Sequence, residues 1–195
     1  MDKDILKLLK DLQKDKEFIK IRRDLIEKEF DKIKSQIIDE FNNHLITREI
    51  EMGINGSNIS GTLNGVTNLY SFIGFDEGTD PISPIREALE KSSFRISPSG
   101  EGISSVIIFD IPTAKTIFSI TPMPWAVGRS WAKGIETGIS GLGYYLKIAK
   151  NSRSGLGIQS QRKIRSGVSF KNTKYISNLI SKFEKELKNL NKLNI

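Results

Sequence analysis

The amino-acid sequence predicts an α+β fold, with a long N-terminal helix, a small mostly antiparallel sheet with short helices, and a C-terminal amphipathic helix. Three observations predict it. Apolar residues recur at helical spacing over roughly the first 46 residues and again at the end of the chain. Between these stretches lie two short runs rich in β-branched and aromatic residues, joined by a glycine- and proline-bearing turn. Glycine and proline punctuate the rest of the middle. The organisation expected is a helical arm over 1–52, then a single α+β domain over 53–195 with a glycine-rich basic loop around 150–167.

The first helix is defined by Ile19, Ile26, Phe30, Ile33, Ile37, Phe41 and Leu45, a narrow apolar stripe with charged flanks and no Gly or Pro before Gly53. A break is expected near Lys14–Lys16. The helix would reach on the order of 60 Å, longer than a small domain needs; it packs along its own domain, reaches a neighbouring subunit, or frays as an arm at its first turns. Residues 53–67 read as loop. Gly53-x-x-Gly56 lacks the Lys-Ser/Thr ending of a phosphate loop and opens no helix, which excludes nucleotide binding there. Residues 67–75, with Tyr70, Phe72 and Phe75, read as a strand partly covered on both faces. The turn at Gly78-Thr-Asp-Pro81 introduces a short helix over 82–90, capped by Asp80 or Ser83 with Pro81 or Pro84 at its first position.

Residues 92–97 and 104–111 are the two strand candidates, the second a continuous apolar run, Val106-Ile-Ile-Phe109, of the fully buried kind. Pro98-Ser-Gly-Glu-Gly102 is a hairpin connection. Thr113 caps a short helix through Ile120, which Pro122 and Pro124 stop. Residues 163–170 alternate weakly, as a last strand would. Asn172 or Thr173 then caps a terminal helix with Ile176, Leu179, Ile180, Phe183, Leu187 and Leu190 on one face.

Composition narrows function. The chain has 195 residues, 37% of them apolar, enough for one sizeable core. It has no cysteine, which removes disulfides, thiolate nucleophiles and cysteine-ligated metals. The mixed charges of Met-Asp-Lys-Asp-Ile-Leu-Lys do not read as a secretory signal, and no apolar run is long enough for a bilayer. An intracellular or particle-assembled protein with no membrane partner is expected. The net charge of +7 is uneven. Residues 146–195 carry nine Lys and three Arg against Glu184 and Glu186, whereas residues 51–145 carry six basic and nine acidic side chains. Such asymmetry points to an acidic partner surface or nucleic acid.

The catalytic inventory is thin, and no enzymatic activity or cofactor is expected. His44 is the single histidine, four residues after Glu40 and five after Asp39, and reads as a surface ion pair. No second His and no clustered carboxylates complete a metal site, and Asp76, Glu77 and Asp80 lack the spacing of a calcium loop. Ser130, Ser140 and Ser154 have no base. Interaction signals are stronger. Trp125 and Trp131 flank Gly128-Arg129-Ser130, and Trp and Arg dominate protein interfaces. Trp125, Arg129, Trp131, Tyr144 and Tyr145 are therefore the candidate contact residues, with core filling the alternative for the tryptophans. Glu136 is expected to pair with Arg129 or Lys133. Lys150, Arg153, Arg162, Lys163 and Arg165 form a positive segment free of acidic residues, suited to phosphates but not to reading bases.

Leu69-Tyr-Ser-Phe-Ile-Gly-Phe75 before an Asp-Pro turn, Thr-Pro-Met-Pro-Trp125, Gly-Arg-Ser-Trp131, Gly-Ile-Glu-x-Gly-Ile-Ser-Gly-Leu-Gly143, Ser-Arg-Ser-Gly155 and Phe170-Lys-Asn-Thr-Lys-Tyr-Ile176 occur in that order. As an ordered set over about residues 60–190 this resembles tailed-bacteriophage virion proteins of the neck or tail-completion kind. The resemblance implies a non-enzymatic structural protein, present in several copies as a ring at the head–tail junction. Its partners would be copies of itself and other virion proteins (portal, adaptor or tail), with non-specific contact to DNA. Its location would be the virion, assembled in the host cytoplasm. It carries no catalytic set. The alternatives are a sequence-independent nucleic-acid-binding accessory protein using the basic C-terminal region, and a tail terminator or tube-associated subunit.

Overall fold

A computed structural model describes residues 15–63, 67–98, 105–138, 146–147, 158–159 and 171–192. The fold is α+β, with a long helix first, a helix last, and short helices and two-stranded antiparallel ribbons between. Helix α1 spans Lys16–Asn43 and α2 spans Leu45–Glu51, followed by a 3-10 turn at Gly53–Asn55. The expected break lies at Asp15, whose carboxylate accepts from the Glu17 and Phe18 amides. A second break, not expected, falls at His44, where the backbone becomes extended and Nδ1 accepts from the Ile46 amide at 3.2 Å. This reset moves the inward position from Leu45, which is 49% exposed, to Ile46, which is buried.

Helix α3, Leu69–Ile73, stands where a strand was expected. Asn68 caps it, accepting from the Ser71 amide at 2.8 Å, and Gly74 ends it in the left-handed conformation at φ 88°. All five residues are buried, so their aromatic and β-branched character reflects the depth of the site rather than a pleated backbone. The Asn68 amide group also donates to the carbonyls of Gly53, Ile54 and Gly56, tying the loop after α2 to the start of α3. Glu49 completes that knot. Its buried carboxylate accepts from the Ser60 amide at 2.8 Å and the Leu69 amide at 2.7 Å.

Helix α4 spans Ser83–Glu90, with the Asp80 carboxylate accepting from the Ile82 and Ser83 amides and Pro84 in its first turn. Strands β1 (Ser93–Pro98) and β2 (Ser105–Asp110) pair antiparallel, Phe94 opposite Phe109 and Ile96 opposite Ile107. The run expected to be wholly buried instead alternates, with Ile107 6% exposed but Val106 46% and Ile108 36%. Among the described residues one face of this ribbon leans on a helix: Phe94 and Phe109 both pack against Phe30 of α1. Helix α5, Ala114–Ser119, is capped by Thr113 as expected.

Strands β3 (Pro122–Met123) and β4 (Ala126–Ser130) form a second ribbon with an irregular register, and lead into α6, Trp131–Thr137. Strands β5 (Leu146–Lys147) and β6 (Ile158–Gln159) form a third. Helix α7, Ile176–Lys192, buries all six of its expected apolar residues against the core and runs along α1. Its first turn is served not by Asn172 or Thr173 but from another helix: Glu136 of α6 accepts from the Ser177 amide at 2.6 Å and from its hydroxyl at 2.5 Å. That contact replaces the expected pairing of Glu136 with Arg129 or Lys133. Among the described residues one core runs from Phe30, Phe41 and Ile50 through Tyr70 and Trp131 to Phe183 and Leu190, so α1 and α2 belong to the same packed body as the rest, rather than to a separate arm. The last strand expected at 163–170 lies outside the described residues.

Candidate functional site

The tryptophans flanking Gly128-Arg129-Ser130 take different roles. Trp131 opens α6 and is 1% exposed, its ring edge-on to Phe75 with centroids 5.8 Å apart. It fills the core and has no surface to give a partner, because Ser130 caps the helix at Lys133 and turns its first residue inward. Trp125 is half-buried. Its Nε1–H donates to the Ile73 carbonyl at 2.7 Å, and its ring lies across Gly74, where a Cβ would stand 3.4 Å from Cδ1. Trp125 thus fastens the β3–β4 turn to the end of α3, with part of the indole left open.

Arg129 is exposed, and the residue beside it was not singled out by sequence. Where the β3–β4 register slips, Val127 and Gly128 bulge out of the ribbon, Gly128 at φ 76° and Val127 with its side chain wholly in solvent at 106% relative exposure. An apolar side chain fully in water next to an arginine and a half-buried indole is an interface composition. A glycine inside a ribbon, here Gly128 with its positive φ, is the sequence signal of such a bulge. Tyr144, Tyr145, Lys150, Arg153, Arg162, Lys163 and Arg165 lie outside the described residues.

A second surface is the outer end of α1, where Phe18, Ile19, Ile21 and Leu25 are all 42–62% exposed. Val106 and Ile108 on the outer face of β2 make a third.

Several polar residues around one cleft are committed to structure. An open cleft of about 400 Å³ between the turn after α2 and the turn before α4 is bordered by Glu51, Glu77, Asp80 and Tyr70. Glu51 pairs with Arg86, Asp80 holds the start of α4, and the Tyr70 hydroxyl donates to the Asp76 carbonyl and accepts from the Thr79 amide. Among the described residues His44 forms no ion pair of the kind expected. Its ring packs on Tyr175 with centroids 4.7 Å apart, and burial lowers its pKa, opposed by the Glu40 carboxylate. Tyr175 is sealed beneath it, sharing a 2.5 Å hydrogen bond with the Thr47 hydroxyl, and burial pushes its phenol far above the usual range. Among the described residues no group of three or more His, Asp or Glu is placed to hold a metal ion, and no helix is long and apolar enough to cross a membrane.

No protein-family model, curated protein or solved structure matches this chain.

Proposed function

We propose that this chain is a non-enzymatic structural protein of a tailed-phage particle, forming a ring at the head–tail junction as a neck or tail-completion protein. The observation that carries the reading is the ordered set of motifs from Leu69 to Ile176, which as a set resembles such proteins. Within the described residues those motifs supply shape. Asn68 to Gly74 makes a capped, buried helical turn, Trp125 fastens it to a ribbon, and Glu136 holds the first turn of α7. Apolar side chains left in solvent at Val127, at Val106 and Ile108, and at the outer end of α1 give such a subunit surface with which to meet its neighbours. Arg129 and the open edge of Trp125 are the anchors beside Val127.

The test is mass spectrometry of purified particles of the phage that encodes the chain, with light scattering of the isolated protein. The reading expects the chain in finished particles and a mass above that of a monomer as concentration rises. A chain absent from particles and monomeric at high concentration contradicts it. The charge of residues 146–195 favours a second reading, a sequence-independent nucleic-acid-binding accessory protein. That reading requires DNA or RNA binding that falls steeply with salt. A tail terminator or tube-associated subunit would share the particle but differ in axial position.

A further inference from the structure

The β1–β2 ribbon has two unlike edges. Strand β1 carries the exposed Arg95 and ends at Pro98, which has no amide hydrogen to offer a further strand. Charge and proline are the devices by which natural edge strands discourage pairing. Strand β2, Ser105-Val-Ile-Ile-Phe-Asp110, has no proline or glycine, and its one charge stands at the end. Among the described residues no third strand pairs with β2, and its backbone makes no hydrogen bond outside the ladder with β1. One face of β2 is occupied, with Ile107 buried and Phe109 stacked on Phe30, while Val106 and Ile108 stand exposed on the other. A bare two-stranded ribbon is marginal in water and gains from a third strand.

The other described strands do not fit that edge. Strands β3, β5 and β6 have two residues each, and β4 slips register at its bulge. The strand that matches β2 in length and lacks a proline is β2 itself. We propose that β2 is a docking edge for a second copy of this chain, pairing antiparallel with the same strand about Ile107, so that two ribbons join into a four-stranded sheet. Charge fixes direction and register. A parallel pair in register would set Asp110 directly beside Asp110, like charges face to face. An antiparallel pair centred on Ile108 would lay Asp110 on Val106 of the second copy. Centred on Ile107, Val106 lies opposite Ile108 of the second copy and Ile108 opposite Val106, so the exposed apolar residues cover one another and Asp110 falls past the paired stretch. Six residues of edge are little beside the roughly 800 Å² per partner of a stable dimer, so the pairing is weak and grows with concentration. This contact is separate from the Val127–Arg129 surface and does not depend on the chain belonging to a phage particle.

Because the chain has no cysteine, single cysteine substitutions in the full chain report the contact. Val106→Cys and Ile108→Cys, mixed in equal amounts and mildly oxidised, are expected to give the mixed disulfide as main product, over either variant linked to itself, at a rate that falls on dilution. Arg95→Cys, exposed on the same ribbon but on β1, is the control and is expected to link at least ten-fold more slowly. In the unsubstituted chain, hydrogen exchange at residues 105–110 is expected to slow as concentration rises, more than at residues 93–98. A mixed pair no faster than the control overturns the proposal, and so does exchange at 105–110 that is independent of concentration, which would leave the edge to the chain itself or to solvent. Ile108→Cys linking chiefly to itself overturns the register about Ile107.

Discussion

Along α1 the two halves of one continuous helix meet different surroundings. From Ile26 onward the inward side chains are sealed, with Ile26 and Phe41 at 0% exposure and Phe30 and Ile37 at 2%, under α7 and the β1–β2 ribbon. Before Ile26, four large apolar residues in ten positions remain open. The helical backbone is the same in both halves; what differs is whether other described elements pack against it. Helix periodicity thus reports a backbone, while burial reports the neighbours available, and only the inner half carries the stability of the fold.

Substitutions on either side of that boundary separate the halves. The largest effect is expected for Phe41→Ala, which empties a fully buried ring site stacked on Tyr175 at 6.1 Å and should cost about 3–5 kcal/mol by urea denaturation. Phe18→Ala in the outer half is expected to cost less than about 1 kcal/mol in the same assay. Equal losses would erase the distinction. Next comes Glu136→Ala, which removes both acceptors of Ser177 and should destabilise by about 1–2 kcal/mol, with hydrogen exchange rising first at the start of α7.

A smaller effect concerns the hinge between α1 and α2. Burial lowers the His44 pKa in the folded chain, so below about pH 6.5 the unfolded chain takes up the proton more readily. The stabilising contribution is therefore present above that pH and is lost as pH falls beneath it, when protonation also removes the Nδ1 acceptor of Ile46. His44→Asn keeps a capping acceptor without titrating, and its stability is expected to fall less than that of the parent between pH 7 and pH 5. A parallel fall in both proteins would contradict the assignment. Smallest is Lys182→Ala, which breaks the half-exposed pair with Glu40 between α7 and α1 and is expected to cost about 0–1 kcal/mol.

Much of the architecture was legible in the sequence, because amphipathic stripes and caps are local signals. The break at Asp15, the Thr113 cap, the Pro84 start of α4 and the six inward residues of α7 all follow from such signals. What the sequence concealed depends on distant partners. Residues 69–73 look β-like because they are deeply buried, and their helix is fixed by a polar knot reaching back to Glu49 and Gly53. Ser177 is served by Glu136, 41 positions away, so no capping residue marks it. Of the proposed contact residues, Arg129 lies exposed and Trp125 is half-open, whereas Trp131 is core. Nothing local distinguishes the two tryptophans; the helix that Ser130 caps turns Trp131 inward.

The proposed assembly reading meets its most direct test in a cryo-EM reconstruction of tailed-phage particles from a phage whose genome carries this sequence. The account predicts a symmetric ring between head vertex and tail into which the α1–α7 body fits, with Val127 and Arg129 buried against a neighbouring subunit. A reconstruction with every density of the head–tail junction assigned to other chains, and none to this one, would contradict it.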